Sequence, residues 1–111
     1  MSVEHLFRKE ELIRFIKDNT KKHNKDLLDV YISKAPITKS KIKDTFGKTI
    51  FESLDTNGWM VFVDPCKIAN WSHPCEYWFV VDNEQFEFKY GEKWKPSSEL
   101  EYESITEFLD Y

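Results

Sequence analysis

The sequence predicts an α+β fold, in which N-terminal helices precede an antiparallel β-meander of about three strands and a short C-terminal helix. Two observations lead to this prediction. Apolar residues recur at helical spacing in the first half of the chain, and from residue 59 the pattern changes to short apolar or alternating runs typical of strands. With 111 residues, 41% of them hydrophobic, the chain is long enough to pack one core, so we expect a single domain over residues 1–111.

The first helix is expected to run from about Val3 to Asn19, with Ser2 as its N-terminal cap. Segment 26–33 fits both the alternation of a strand and the spacing of a helix, and a short helix is preferred there. The apolar residues of the first helix fall on one stripe of its surface, whereas charged residues occupy the rest. The stripe consists of Leu6, Leu12, Ile13 and Ile16.

A third helix is predicted to begin at Thr38, which can cap it, and to end at Asn57-Gly58. The apolar residues of this segment recur every four positions, as they would on one face of a helix. They are Ile42, Phe46, Ile50 and Leu54.

Three strands are predicted to follow. The runs 59–63 and 77–81 are apolar on both faces, as buried strands are, and a tight turn after residue 81 leads into a third strand over 85–90. That strand alternates aromatic and charged residues, which places it near an edge of the sheet. Ser104 can then cap a short final helix, whose core-facing residues would be Ile105, Phe108 and Leu109.

Charge is divided unevenly along the chain. Residues 1–50 contain 12 Lys or Arg against 7 Asp or Glu, and residues 51–111 contain 4 against 13, which gives the net charge of −4. A nucleic-acid-binding domain is normally basic over its contact surface, so nucleic acid is disfavoured as a partner, although the basic half leaves it open. The acidic half is expected to be a solvated face or to engage a basic protein.

No secretion signal or membrane span is recognisable in the sequence. The N-terminal residues are charged and amphipathic, and no stretch approaches about 18 uninterrupted apolar residues. We therefore expect a cytoplasmic protein without membrane contact, in which thiols stay reduced.

A long loop, residues 64–76, joins the first two predicted strands and contains both cysteines of the chain. Its length is unusual for a connection between strands, and loops of this length are often functional. One interpretation is a metal site, because zinc prefers nitrogen and sulfur ligands, although the spacing is not a common ligand pattern. The ligands would be Cys66, His73 and Cys75, with a fourth from Asp64, His5 or His23.

Three other interpretations of this loop are open. A disulfide between Cys66 and Cys75 would close a ten-residue loop. Cys75 could act as a nucleophile with His73 as its base. Both cysteines could instead be small buried hydrophobes. The last interpretation is preferred and is compatible with recognition, because two prolines stiffen the loop and would present Asn70, Trp71 and His73 at low entropic cost.

These features together favour a small non-enzymatic protein that acts by binding another protein, as an inhibitor, accessory or immunity-type module. No catalytic constellation or cofactor motif is recognisable, whereas 16% of the residues are aromatic, and aromatic side chains are enriched at binding surfaces. A homodimer is compatible with the same features. The predicted binding residues combine aromatic anchors with an acidic rim: Asn70, Trp71, His73, Trp94, Glu99 and Glu101, with Glu103 nearby.

Two alternatives involve other chemistry. Segment 37–47, followed by the predicted helix and by a strand opening at Trp59, resembles a winged helix-turn-helix and would imply a nucleic-acid-binding regulator. Segment 48–55 carries as many acids as bases, however, which does not suit phosphate contacts. The second alternative is a metal-binding protein that uses Cys66, His73 and Cys75.

Overall fold

The computed structural model describes residues 6–52, 55–69 and 73–109. Within these residues one α-helix, α1 (Lys9–Asn19), precedes six antiparallel strands, and 3-10 turns occupy Lys39–Lys41 and Thr106–Phe108. The described part of the chain is mostly sheet, so the predicted fold of several helices, a three-strand meander and a C-terminal helix is wrong. The strands are β1 (Asp29–Ser33), β2 (Ile37–Thr38), β3 (Asn57–Asp64), β4 (Cys75–Val80), β5 (Phe86–Glu92) and β6 (Tyr102–Ser104).

The strands lie in the order β5-β4-β3-β1-β6, and β2 pairs with the first residues of β3. β3 and β4 are central, and their residues are buried throughout except for the first residue of β3. A strand that is covered on both faces is stabilised by apolar side chains at every position, which explains why neither run alternates with polar residues. The strands predicted at 59–63 and 77–81 are therefore present, with slightly different ends.

Helix α1 covers one face of the sheet. Leu12 and Ile16 are fully buried against alternate residues of the central strands, among them Val61 and Trp78. Leu12 and Ile16 of the predicted apolar stripe thus face the core, Ile13 is half-buried, and Leu6 precedes the helix. The charged residues of the helix are half-buried or exposed.

The helix begins later than the sequence pattern indicated. Its predicted start at Val3 lies outside the described residues, and among the described residues the helix begins at Lys9. The preceding backbone is engaged elsewhere, because the N–H of Phe7 donates to the carbonyl of Val81 at 2.8 Å and the Phe7 carbonyl accepts Nε1–H of Trp59 at 2.7 Å. These two contacts hold Phe7 in an extended segment against the sheet.

The predicted third helix is wrong. Residues 39–52 cross the other face of the sheet and include a tight hairpin, in which the N–H of Ile50 donates to the carbonyl of Ile42 at 3.2 Å. Both isoleucines are buried, whereas Phe46 at the tip is 72% exposed and Gly47 has a positive φ of 83°. The apolar residues that recur every four positions also fit a hairpin with Phe46 at its tip. Ile42 and Ile50 are each four residues from Phe46, so they come together across the two arms of the hairpin.

Segment 26–33 contains strand β1, which begins at Asp29 after a turn, rather than the preferred short helix. Val30 and Ile32 are fully buried on one face, and Tyr31 contacts the opposite cluster. β1 pairs with β3 on one side and with β6 on the other, so sheet partners satisfy its backbone groups. This tertiary pairing decides between two patterns that the local sequence leaves equivalent.

The predicted final helix is replaced by strand β6 and one 3-10 turn. Ile105 and Leu109 are buried, as expected of core-facing residues, but Phe108 is 53% exposed. Two of the three predicted core-facing residues therefore reach the core, and Phe108 does not.

Strand β5 lies at one edge of the sheet, as its alternation indicated. Phe88 stacks on Trp78 with ring centroids 4.4 Å apart, while Phe86 and Tyr90 on the same strand remain about half exposed. Among the helices of the described residues, none has the length and apolar character needed to cross a membrane.

Candidate functional site

The end of β3 and the start of β4 bring three potential metal ligands together. Val63 lies opposite Glu76 in this antiparallel pair, so the next residues, Asp64 and Cys75, come side by side on the same face of the sheet. His73 precedes Cys75 by two positions. The ligand atoms of Asp64, His73 and Cys75 all lie within 4.8 Å of one another, and Nε2 of His73 is 2.6 Å from Oδ1 of Asp64.

The thiol of Cys75 is buried and protonated. Its side chain is 4% exposed, and its S–H donates to the carbonyl of His73 at 3.5 Å. Burial, followed by the negative charges of Asp64 and Glu76, raises the pKa of Cys75 to about 12. A nucleophilic cysteine requires a lowered pKa and access to substrate, so this environment does not support the interpretation of Cys75 as a nucleophile.

Cys66 lies outside the ligand cluster. Both cysteines are free thiols, and the contact of Cys66 with the cluster is its backbone N–H, which donates to Oδ1 of Asp64 at 2.9 Å. Asp64, and not the predicted Cys66, is therefore the third potential ligand beside His73 and Cys75. Of the two other histidines, His23 lies 3.0 Å from a carboxylate oxygen of Glu76, and His5 lies outside the described residues.

The three ligand side chains line a pocket of about 420 Å³ that is open to solvent. Trp94 forms part of its wall, together with three exposed lysines. Lysine ammonium groups around a concave site produce a positive potential that attracts anions. The lysines are Lys67, Lys93 and Lys95.

Trp94 also forms an exposed aromatic pair with Phe46 beside this pocket. The ring centroids are 5.0 Å apart at an interplanar angle of 85°, and the two residues are 46% and 72% exposed. Hydrogen bonds hold the backbone under the pair. The hydroxyl of the buried Tyr77 donates to the Trp94 carbonyl at 2.7 Å, and the exposed Thr45 donates to the Lys95 carbonyl through N–H and Oγ1 at 2.8 and 2.9 Å. We call this pair and its flanking lysines the Phe46–Trp94 surface.

Asp44 shapes the hairpin that carries Phe46. The residue is 2% exposed, and its Oδ1 accepts the N–H groups of Phe46 at 2.8 Å and Lys48 at 3.0 Å. The N–H of Gly47 donates to the Asp44 carbonyl at 2.9 Å, and the positive φ of Gly47 favours glycine at that position. Phe46 is therefore presented by a turn whose backbone groups are largely hydrogen-bonded.

The structure brings together two of the six predicted binding residues, since His73 and Trp94 line the same pocket. Glu99 and Glu101 are exposed on the connection that leads to β6, and neither is among the described residues lining that pocket. The other two predicted residues lie outside the described part of the chain: Asn70 and Trp71.

Sequence reasoning missed Phe46 and did not use the lysines on either side of Trp94. Phe46 was assigned to the buried face of a helix, although Asp44 followed three residues later by Gly47 is also a turn signal. Lys93 and Lys95 flank Trp94 directly in the sequence, so a basic rather than acidic rim at this tryptophan was open to inference.

No family model, no curated protein and no solved structure matches this chain.

Proposed function

We propose that this is a small cytoplasmic protein that acts by binding another protein, as an inhibitor, accessory or immunity-type module. The observation that supports this proposal is the exposed Phe46–Trp94 pair beside a lysine-lined pocket. Tryptophan and other large aromatic side chains often provide most of the affinity of protein interfaces, and burying them against a partner removes apolar area from water.

The backbone that presents the pair also favours binding. Asp44, Thr45 and Tyr77 hold the two segments that carry Phe46 and Trp94 through hydrogen bonds of 2.7–3.0 Å. A surface that is already ordered loses little conformational entropy when a partner covers it. Exposed aromatic residues on such a backbone are therefore suited to act as anchors.

The charges around the pair indicate an acidic partner. Lys93 and Lys95 are exposed on either side of Trp94, and Lys67 lies across the pocket. The acidic side chains closest to the pair along the chain, Asp44 and Glu92, are buried, and Glu92 forms an ion pair with Lys48. We therefore propose a basic rim at this surface in place of the acidic rim expected from Glu99 and Glu101.

The test begins with crosslinking and mass spectrometry in cells that produce the protein, followed by affinity measurement with the purified partner. Trp94→Ala and Phe46→Ala should each weaken binding by roughly 30-fold, or about 2 kcal/mol, the usual loss at an interface anchor. Phe108→Ala is the matched control, because Phe108 is also an exposed aromatic residue but lies after β6.

Charge reversal tests the rim separately. Lys93→Glu should mainly slow association, and the effect should decrease at high salt because exposed charges are screened. Lys34→Glu, at an exposed lysine next to β1, is the control. Unchanged affinity in Trp94→Ala and Phe46→Ala would refute the proposal. So would Trp94-dependent binding of a single-stranded oligonucleotide without a protein partner, since bases also stack on aromatic residues in basic grooves.

A further inference from the structure

We propose that Asp64, His73 and Cys75 form a zinc site with three protein ligands and a fourth coordination position that faces the lysine-lined pocket. The inference rests on the positions and types of the three side chains, and it does not require the protein partner proposed above.

The first support is that the fold brings these three residues together. Asp64 is the last residue of β3 and Cys75 is the first residue of β4, and the register of the two strands places them side by side. His73 reaches the same point from the loop. Asp64 and Cys75 are both buried at the ends of the two central strands, so the sheet positions two of the three ligands.

The second support is distance. Tetrahedral zinc with bonds of about 2.0–2.3 Å separates its nitrogen, oxygen and sulfur ligands by roughly 3.3–3.8 Å. The ligand atoms of the three residues are within 4.8 Å of one another, and one pair, Nε2 of His73 and Oδ1 of Asp64, is 2.6 Å apart. Shifts of about 1 Å, which side-chain rotations supply, would therefore reach zinc geometry.

The third support is the combination of donor types. One imidazole, one thiolate and one carboxylate suit zinc, whereas calcium and magnesium prefer sites made of oxygen ligands alone. Zinc binding would release the thiol proton of Cys75 to solvent, and the Nε2 proton that His73 donates to Asp64 would move to Nδ1 or to solvent, so that Nε2 and the carboxylate can both bind the ion. The thiolate and the Asp64 carboxylate would together balance the charge of the ion.

The pocket provides the fourth position. The three ligands lie in its wall, and the pocket is open to solvent, so water or an anionic group can complete the coordination. The three lysines that line the pocket would favour an anion such as a carboxylate as that fourth ligand.

A simpler role for the same residues makes different predictions. The hydrogen bond between His73 and Asp64 could serve only to anchor the loop between β3 and β4. In that case the three side chains would stabilise the protein without binding a metal ion, and metal titration would distinguish the two roles.

The experiment uses the 111-residue chain, treated with a chelator and then titrated with Co²⁺, a spectroscopic substitute for zinc, and with Zn²⁺ in competition. We expect stoichiometric binding, a thiolate-to-cobalt charge-transfer band, and visible bands of a tetrahedral site. Cys75→Ser should abolish the charge-transfer band. Cys66→Ser is the matched control and should retain it, because Cys66 lies outside the cluster.

His73→Ala and Asp64→Asn should weaken zinc binding by about 100-fold or more, because even changes beyond the direct ligands cost 10–100-fold. Circular dichroism verifies that each variant is folded. Phe108→Ala, at an exposed residue that is not among the described residues lining the pocket, should bind zinc like the wild type. Metal binding is measured without a protein partner, so its loss and the loss of partner binding are separable. Folded wild-type protein without stoichiometric binding, or a charge-transfer band that depends on Cys66 instead of Cys75, would overturn the proposal.

Discussion

Replacing Asp44 with alanine tests whether one buried carboxylate holds the hairpin that carries Phe46. Its Oδ1 accepts two backbone N–H groups, from Phe46 and Lys48, and the residue is 2% exposed. Each hydrogen bond to a charged group contributes about 1.5–3 kcal/mol, so two bonds set an upper range of about 3–6 kcal/mol. Both donor residues are exposed, so in Asp44→Ala water replaces part of the lost hydrogen-bond energy. We therefore expect the free energy of unfolding to fall by about 2–3 kcal/mol.

Asp82 provides a matched comparison within the same chain. Its Oδ1 accepts the N–H groups of Glu84 and Gln85, both at 2.8 Å, but this turn lies in the exposed connection between β4 and β5. Asp82→Ala should therefore cost only about 0.5–1 kcal/mol. Asp44→Asn keeps an acceptor oxygen in place, so its loss of unfolding free energy should lie between those of Asp44→Ala and Asp82→Ala.

Urea unfolding followed by tryptophan fluorescence and circular dichroism measures these differences. A loss of 2–3 kcal/mol moves the midpoint by roughly 1–2 M for a slope near 1.5–2 kcal/mol/M, and the slope itself should not change. If Asp44→Ala is no less stable than Asp82→Ala, then the buried carboxylate does not stabilise the hairpin and this reasoning is refuted. Affinity for the partner should also fall in Asp44→Ala, because Phe46 loses its fixed position.

Two further predictions concern packing and alkaline pH. Gly58→Ala should destabilise the protein by about 1–3 kcal/mol in thermal or urea unfolding, because its Cβ would lie 2.6 Å from the Phe79 ring. The double variant Gly58→Ala with Phe79→Leu should lose less unfolding free energy than the sum of the losses in the two single variants. Burial and the hydrogen bond to Asp29 raise the pKa of Tyr31 from 10.0 to about 12, so the folded state holds this proton more tightly. The resulting stabilisation is complete below pH 10 and is lost between pH 10 and 12.

Specific outcomes would contradict these two predictions. Gly58→Ala with the melting temperature of the wild type would show that the Phe79 ring moves aside at no cost. For Tyr31, phenolate absorbance is titrated in the wild type and in Tyr31→Phe, with circular dichroism as the check on folding. The prediction is wrong if the phenolate of Tyr31, which is the difference between the two titrations, is already half formed near pH 10 while both proteins remain folded.

The sequence by itself determined the parts of the fold that one strong local pattern describes. The runs 59–63 and 77–81 could only be stable with both faces covered, and they form the two central strands. The alternation of 85–90 placed that strand at an edge, and the apolar stripe around Leu12 and Ile16 indicated a helix packed on the core. In each case the side chains of one short segment carried enough information, because burial of that segment depends mainly on its own apolar residues.

Part of the site was predictable in the same way. The sequence showed that the loop after β3 gathers His73 and Cys75, and that Trp94 follows the edge strand. It could not show that Asp64 rather than Cys66 joins them, because that choice depends on the register between β3 and β4.

Only the tertiary structure decided the segments whose patterns were ambiguous. Residues 26–33 and 38–52 each fit a helical spacing. Residues 29–33 of the first segment instead pair with β3 and β6, and the second segment contains a hairpin lying over the sheet. The exposure of Phe46 and its contact with Trp94 follow from that hairpin. The physical reason is that backbone hydrogen bonds to distant strands outweigh a weak local preference, and a sequence window contains no information about those partners.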